Sequence, residues 1–89
     1  MTQNVSITLQ NTPDARPILE AISEDNPKAV VANYPSMIKI DCPDRLVINA
    51  DSVSKKIGRE WNTQEIHLSL ITLSGNIDED EGQFVLAWN

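Results

Sequence analysis

The chain has 89 residues, a formal net charge of −6 at pH 7, one cysteine and one histidine. This length supports one modest hydrophobic core and predicts a single domain over residues 1–89. The negative charge repels phosphate backbones and anionic lipid headgroups, so the composition argues against nucleic-acid and membrane-surface binding and favours a basic protein surface as a target.

The sequence also carries signals about where the protein works. No apolar stretch approaches the roughly 20 residues of a membrane-spanning helix, and the polar start Met1-Thr2-Gln3-Asn4 lacks the features of a signal peptide. Cys42 is the only cysteine, so an internal disulfide cannot form and an oxidising compartment is not required. These observations predict a cytoplasmic protein.

The first half of the chain predicts one strand, one helix and a hairpin. A period of two predicts a strand that buries Val5, Ile7 and Leu9. Asp14 is the expected N-cap of a helix whose apolar stripe is Ile18, Leu19 and Ile22, and which ends at Asn26-Pro27. Residues 29–32 and 37–40 then predict a hairpin around residues 33–36, and residues 45–48 predict a third strand of the same meander.

The second half repeats this pattern of elements without repeating the sequence. Asp51 is the expected N-cap of a second helix that ends at Gly58. Residues 63–65 predict a helical turn, residues 66–73 the longest strand, and residues 75–82 a connection with an acidic run at residues 78–81. Phe84, Leu86 and Trp88 predict the last strand. The order is βαββ twice, which indicates an α+β domain of two main helices and mostly antiparallel strands.

The residues that could carry chemistry fit structural interpretations better than functional ones. His67 could act as an acid or base with Glu65 or Ser69, which lie two positions away on a strand, but a structural histidine is the favoured interpretation. Cys42 lacks a setting that would lower its pKa and is expected to be an incidental thiol. The acidic run fails the calcium-loop spacing and predicts a solvated or docking loop. Turn and cap positions account for three aspartates: Asp41, Asp44 and Asp51.

One feature does not fit a half-buried strand. In residues 66–73, Ile71 and Leu73 share a face with His67 and Ser69, although the opposite face is already apolar. Three explanations remain open. A helix covers the second face, a β-bulge shifts the register near Ile71, or Ile71 and Leu73 form an exposed apolar docking patch.

The chain resembles the small effector (coupling, or regulatory) proteins of bacterial multicomponent diiron monooxygenases, and most of all those of phenol hydroxylases. The stretches that carry the resemblance are residues 25–41 (DNPKAVVANYPSMIKID), 57–61 (IGREW), 68–75 (LSLITLSG) and 86–89 (LAWN). It implies a fold of two βαββ units. It also implies a protein without cofactor, metal site or catalytic residues, which docks on the α subunit of the diiron hydroxylase and tunes substrate access, oxygen activation and coupling of NADH oxidation to hydroxylation.

The same resemblance implies a docking site. The effector stretch of the family matches Ser69, Ile71, Thr72, Leu73 and Gly75, with Asn33 as a further contact. Several of these positions are small and polar in methane-oxidising relatives, whereas Ile71 and Leu73 are large and apolar here. A free monomer is the simplest form for such docking.

Two other classes of function are consistent with the composition. An acidic inhibitor or immunity-type protein that blocks a basic active site would have a similar size and charge. A free-standing enzyme working through His67 and Glu65 would require activity of the isolated chain, lost on His67→Ala.

Overall fold

A computed structural model describes residues 3–80 and 82–88. Met1, Thr2, Glu81 and Asn89 lie outside the described residues, so the predicted acidic run is described without Glu81. The elements in chain order are β1 (Asn4–Gln10), α1 (Arg16–Asp25), β2 (Val30–Asn33), β3 (Met37–Pro43), β4 (Arg45–Asn49), α2 (Ala50–Ile57), a 3₁₀ helix (Thr63–Leu68), β5 (Leu70–Ser74), β6 (Asn76–Glu79) and β7 (Gln83–Ala87).

The described strands form two antiparallel sheets. One has four strands in the order β2-β3-β1-β5, and the other has three in the order β4-β7-β6. The two helices pack against each other and against β4. This arrangement confirms the predicted α+β fold with two main helices, and adds one strand, β6, to the second half.

The hydrophobic core lies between the inner faces of these elements. The predicted inward residues of β1 are buried, as are Ile18 and Ile22 of α1, whereas Leu19 is only partly buried and packs against the core. The helix α2 contributes Val53. The inner faces of both sheets belong to the same cluster of buried residues, which includes Ile7, Ile40, Leu46 and Leu86. The core is almost entirely aliphatic, as the composition predicts, with Phe84 and Trp61 as its buried aromatic residues.

Residues 45–48 form a strand as predicted, but the prediction that it pairs as the third strand of the first meander is wrong. Pro43 still belongs to β3, and Asp44 alone connects β3 to β4 with a positive φ of 65°. This left-handed residue turns the chain away from the first sheet. β4 therefore pairs with β7 in the second sheet, where Leu46 lies opposite Leu86 and Ile48 opposite Phe84.

The predicted helix starts are wrong by one or two residues, whereas the ends are confirmed. Ala15 rather than Asp14 is the N-cap of α1, and Asn49 rather than Asp51 is the N-cap of α2, with Asp51 in its first turn. An acidic side chain still favours that turn because it faces the positive end of the helix dipole. Gly58 ends α2 with a φ of 85°.

Residues 66–73 do not form one long strand. Asn62 and Glu65 form a capping box, in which the Asn62 side chain accepts from the Gln64 amide and the Glu65 carboxylate accepts from the Asn62 amide. This start continues as the 3₁₀ helix to Leu68, and β5 begins only at Leu70. The predicted connection after Gly75 is also wrong, because residues 76–79 pair with β7 as β6.

Candidate docking surface

The first feature of the predicted docking stretch is a β-bulge. In the pairing of β1 with β5, Thr8 lies opposite Thr72 and Leu9 lies opposite Leu70, so Ile71 is the extra residue between the two pairs. A bulge redirects one side chain out of the alternation. The Ile71 side chain is 49% exposed. Of the three explanations left open by the sequence, the bulge is confirmed and a covering helix is wrong.

The bulge also separates Ile71 from Leu73. Leu73 lies opposite Ile7 on the inner face of the sheet, is only partly exposed and packs against the core. The prediction of an exposed patch formed by both residues is therefore wrong for Leu73. Thr72, opposite Thr8, is exposed on the outer face of the sheet.

Ser69 and Gly75 have structural roles at the two ends of β5. Ser69 is buried, its amide donates to the Ile66 carbonyl at 3.1 Å, and its own carbonyl accepts from the Gln10 amide at 2.8 Å. Gly75 connects β5 to β6, and so joins the two sheets, with a φ of 138°. A Cβ at this position would lie 3.0 Å from Leu86 Cγ and 3.2 Å from Val5 Cγ1.

Asn33 lies on the opposite edge of the four-stranded sheet. It is the last residue of β2, is exposed, and is separated from β5 by β3 and β1. With about 4.8 Å between neighbouring strands, β2 and β5 are about 14 Å apart. The six predicted docking residues thus do not form one cluster, but four of them belong to strands of one sheet: Asn33, Ile71, Thr72 and Leu73.

Leu68 is an exposed apolar residue that sequence reasoning missed. It is the last residue of the 3₁₀ helix and is 78% exposed, more than any other large hydrophobic side chain in the described part of the chain. The prediction of one strand over residues 66–73 placed Leu68 on the buried face of that strand. The signal that could have found it is the capping box Asn62-x-x-Glu65, which predicts a helical turn at this point.

His67 is not paired with Glu65. Its Nε2 lies 3.1 Å from Glu79 Oε1, and its ring contacts Phe84 edge-on at a centroid distance of 6.3 Å. Thr63 strengthens the same link by donating to the Asp80 carbonyl at 2.7 Å. These contacts tie the 3₁₀ helix to β6, which is consistent with a structural histidine.

Glu65 has its own partner. Arg59 donates to both carboxylate oxygens, at 2.9 Å and 3.3 Å. These hydrogen bonds, together with the one from the Asn62 amide, hold the pKa of Glu65 below its ordinary value. A carboxylate held in this form by a neighbouring cation is a poor proton acceptor at neutral pH, which disfavours the proposed pairing of Glu65 with His67 in acid–base chemistry.

Cys42 is a buried structural thiol. Its Sγ donates to the Arg45 carbonyl at 3.1 Å, and burial raises its pKa. Such a thiol is a poor nucleophile at neutral pH. Within residues 3–80 and 82–88 there is also no group of three or more histidine, cysteine or acidic side chains that could hold a metal ion. No helix in that part of the chain is long and apolar enough to cross a membrane.

A family model and a known relative both match nearly the whole of this chain. The model of the MmoB/DmpM family matches residues 3–87. The stimulatory component DmpM of phenol 2-monooxygenase from Pseudomonas sp. (strain CF600) is 44% identical over 88 residues, which cover 99% of this chain and 98% of the relative.

Solved structures similar to this chain agree with the family match. Two structures of a phenol hydroxylase–regulatory protein complex contain chains that are 44% and 42% identical to this one, with TM-scores of 0.93 and 0.89. The matches cover 98% and 97% of this chain and 100% of each matched chain. The soluble methane monooxygenase regulatory protein B is 16% identical with a TM-score of 0.77, over 97% of this chain and 65% of that protein, and so shares the fold.

Proposed function

This chain belongs to the MmoB/DmpM family, and we propose that it is the stimulatory component of a phenol 2-monooxygenase, a non-catalytic protein that binds the hydroxylase component. The observation that carries this proposal is the 44% identity to DmpM over nearly the whole length of both chains. The structural roles of His67 and Cys42 agree with a protein that acts through its surface. The immunity-type alternative has no comparable support.

The mechanism we propose is a population shift. The protein binds one conformation of the hydroxylase more tightly than another, and this difference in affinity changes how often the enzyme adopts its working state. A tenfold change in that equilibrium requires only about 1.4 kcal/mol. A small protein without a cofactor can therefore change substrate access, oxygen activation and the coupling of NADH oxidation to hydroxylation at a diiron centre of the hydroxylase α subunit.

The exposed apolar residues near the start of β5 can supply this energy. Full burial of a leucine or isoleucine side chain contributes about 1.5–3 kcal/mol. Ile71 is 49% exposed and Leu68 is 78% exposed. Covering the exposed parts of both therefore contributes about 2–4 kcal/mol. We propose Ile71 and Leu68 as the apolar anchors, with Thr72 and Asn33 as polar contacts, whereas Ser69, Leu73 and Gly75 hold the strand in place.

We propose that the acidic side chains increase the rate of association with the hydroxylase rather than the specificity of the contact. Asp78 and Asp80 are exposed at and beside the edge strand β6. Negative charge at this edge would speed association with a hydroxylase surface that has a basic rim. We further propose that residues 1–89 act as one domain, as a monomer when free, and in the cytoplasm, which the single free cysteine supports.

The experiment that tests this function combines binding and activity. Ile71→Asp adds one negative charge at the proposed anchor, and Ser23→Asp adds the same charge at an exposed position of α1. We expect Ile71→Asp to weaken binding to the hydroxylase at least tenfold and to remove stimulation of phenol hydroxylation, because docking would bury an unpaired carboxylate. Ser23→Asp should behave like the wild type.

The two results are interpreted separately. A wild-type protein that neither binds the hydroxylase nor changes the hydroxylation rate would disprove the proposed function. If the wild type stimulates and Ile71→Asp stimulates equally well at equal concentration, the function stands but Ile71 is not an anchor. Thermal unfolding of both variants shows whether either change affects the fold.

A further inference from the structure

An open groove lies between the start of α1 and the segment that runs from the end of α2 to the start of β5. Its free volume is about 370 Å³, within the range of small-molecule sites. Six of its lining residues are apolar: Pro13, Pro17, Ile18, Ile57, Trp61 and Leu68. The groove therefore has the size and the walls to hold a small ligand with an apolar ring.

Two buried polar groups in this groove have no partner. Trp61 and Ser69 both line it and are only 3% and 8% exposed. Within residues 3–80 and 82–88, their hydrogen bonds involve backbone atoms alone, so the Trp61 indole nitrogen and the Ser69 hydroxyl have none. No fully buried side-chain nitrogen or oxygen in those residues lacks a partner. Both groups must therefore be reached from outside, and the groove is the opening that they share.

Both groups are held in place without a ligand. The Trp61 amide donates to the Ser54 hydroxyl at 2.9 Å, and this hydroxyl donates to the Ala50 carbonyl at 2.7 Å, which ties Trp61 to α2. Ser69 is fixed by the two backbone hydrogen bonds described above. Binding to a site that is already ordered costs little conformational entropy. The groove is thus preorganised to bind a molecule that pairs with an indole N–H and a hydroxyl.

The charges around the groove disfavour an anionic ligand. Arg59, Glu65 and Asp14 line it, and one positive and two negative charges leave a net charge of −1. The Arg59 guanidinium is already engaged by both Glu65 carboxylate oxygens, at 2.9 Å and 3.3 Å. Asp14 is exposed, so solvent screens its attraction for a cation. A neutral ligand fits these charges best.

A larger cleft beside His67 does not offer the same chemistry. It has a free volume of about 880 Å³, but all its lining residues are polar or charged, and three of them are acidic: Glu60, Glu79 and Asp80. The His67 ring is already paired with Glu79 there. This cleft lacks apolar walls, so it is a poor site for an apolar ring.

We propose that the groove lined by Trp61 and Ser69 binds a neutral one-ring phenol. An indole N–H only donates, whereas a hydroxyl both donates and accepts, so a phenolic hydroxyl can pair with either group. The aromatic ring packs against Trp61 and the prolines. A phenol is neutral at pH 7 because its ordinary pKa is about 10. The inference rests on the proposed function for the source of this ligand, since phenol and catechol are the substrate and product of a phenol 2-monooxygenase.

The test is a titration of phenol into the isolated wild-type protein, followed by the NMR signals of the two indole N–H groups. Trp88 is the internal control, because its indole donates to the Asn4 carbonyl at 2.9 Å and it does not line the groove. We expect the Trp61 signal to move with a Kd on the order of 1 mM, as for other small ligands, and the Trp88 signal to stay in place. Toluene lacks the hydroxyl and benzoate is anionic, so both should bind at least fivefold more weakly.

Two variants locate the site. Ser69→Ala removes the unpartnered hydroxyl and keeps the backbone hydrogen bonds, and Ser74→Ala makes the same change at an exposed position at the other end of β5. We expect Ser69→Ala to raise the Kd for phenol about fivefold, the effect of one hydrogen bond, and Ser74→Ala to change it less than twofold. Trp61→Phe keeps a ring but removes the N–H, and its binding is read from the proton signals of phenol.

The outcomes distinguish this inference from the proposed function. An unmoved Trp61 signal, or wild-type affinity in both Ser69→Ala and Trp61→Phe, overturns the inference. Tighter binding of benzoate or of benzylammonium than of phenol overturns the neutral class of ligand. A titration with catechol shows whether substrate or product binds more tightly, and either result with a moving Trp61 signal supports the inference. The hydroxylase is absent from these measurements, so their failure leaves the proposed function standing, whereas a lack of stimulation by the wild type removes only that function.

Discussion

Gly75 provides the sharpest test of how the two sheets are joined. Gly75→Ala would introduce a Cβ 3.0 Å from Leu86 Cγ and 3.2 Å from Val5 Cγ1, and both of these side chains are fully buried. Neither can move away without disturbing the core, so overpacking costs about 1–3 kcal/mol. The φ of 138° adds backbone strain of about 1–3 kcal/mol.

The expected loss of unfolding free energy is therefore about 4 kcal/mol, the middle of the combined range of about 2–6 kcal/mol. For a domain of this size, that loss lowers Tm by about 16–32 °C. The assay is urea unfolding followed by the fluorescence of the tryptophans, of which Trp61 is buried. The lost stability would also explain a loss of stimulation by Gly75→Ala without any contact between Gly75 and a partner.

The other two glycines are matched controls. Gly58 has a φ of 85° but no atom within 4 Å of an added Cβ, so Gly58→Ala should cost only the backbone strain, about 1–2 kcal/mol. Gly82 has open space and no positive φ, so Gly82→Ala should lie within about 0.5 kcal/mol of the wild type. If Gly75→Ala is as stable as Gly82→Ala, the close approach of the two sheets at Gly75 is refuted.

Three further predictions concern stability. Asn26→Ala should cost about 2–3 kcal/mol in urea unfolding, because it leaves the amide and carbonyl of Val47 without the Asn26 side chain that now bonds both; a loss under 1 kcal/mol would contradict this. Leu73→Ala should lower the free energy of unfolding by about 1–2 kcal/mol, and Tm with it, because Leu73 packs against the core. An unchanged Tm would show that Leu73 does not pack there. Arg59 lowers the pKa of Glu65 from its ordinary value of 4.5. The ion pair therefore stabilises the fold fully at a pH above 4.5, and this contribution is lost as the pH falls through the lowered pKa. The stability difference between wild type and Arg59→Ala should accordingly shrink between pH 7 and pH 3, and a constant difference would refute that linkage.

The local patterns of the sequence were sufficient for the first half of the fold. Alternation gave the buried side of β1, and the apolar stripe gave the buried side of α1. The path after Asp44 was not predictable in the same way, because a short turn signal does not specify into which sheet the next strand goes. That choice depends on the pairing of β4 with β7, some 40 residues later in the chain.

The docking stretch shows a similar limit. The apolar excess at Ile71 indicated a bulge as one explanation, but its position is set by pairing with β1, which is distant in sequence. β6 was missed because its residues, Asn76 to Glu79, have low strand propensity and gain their structure from β7. The start of the 3₁₀ helix, by contrast, was predicted as a helical turn at residues 63–65, but the strand-like hydrophobicity of the following residues obscured its continuation to Leu68.

We propose above all that this protein changes the working state of a phenol hydroxylase by binding to it. The most direct measurement is a titration of the wild-type protein into the reconstituted monooxygenase, with catechol formed and NADH consumed recorded together. We expect the ratio of catechol to NADH to rise and to reach a plateau as the hydroxylase becomes saturated. A ratio and a rate that stay flat across the whole titration would contradict it.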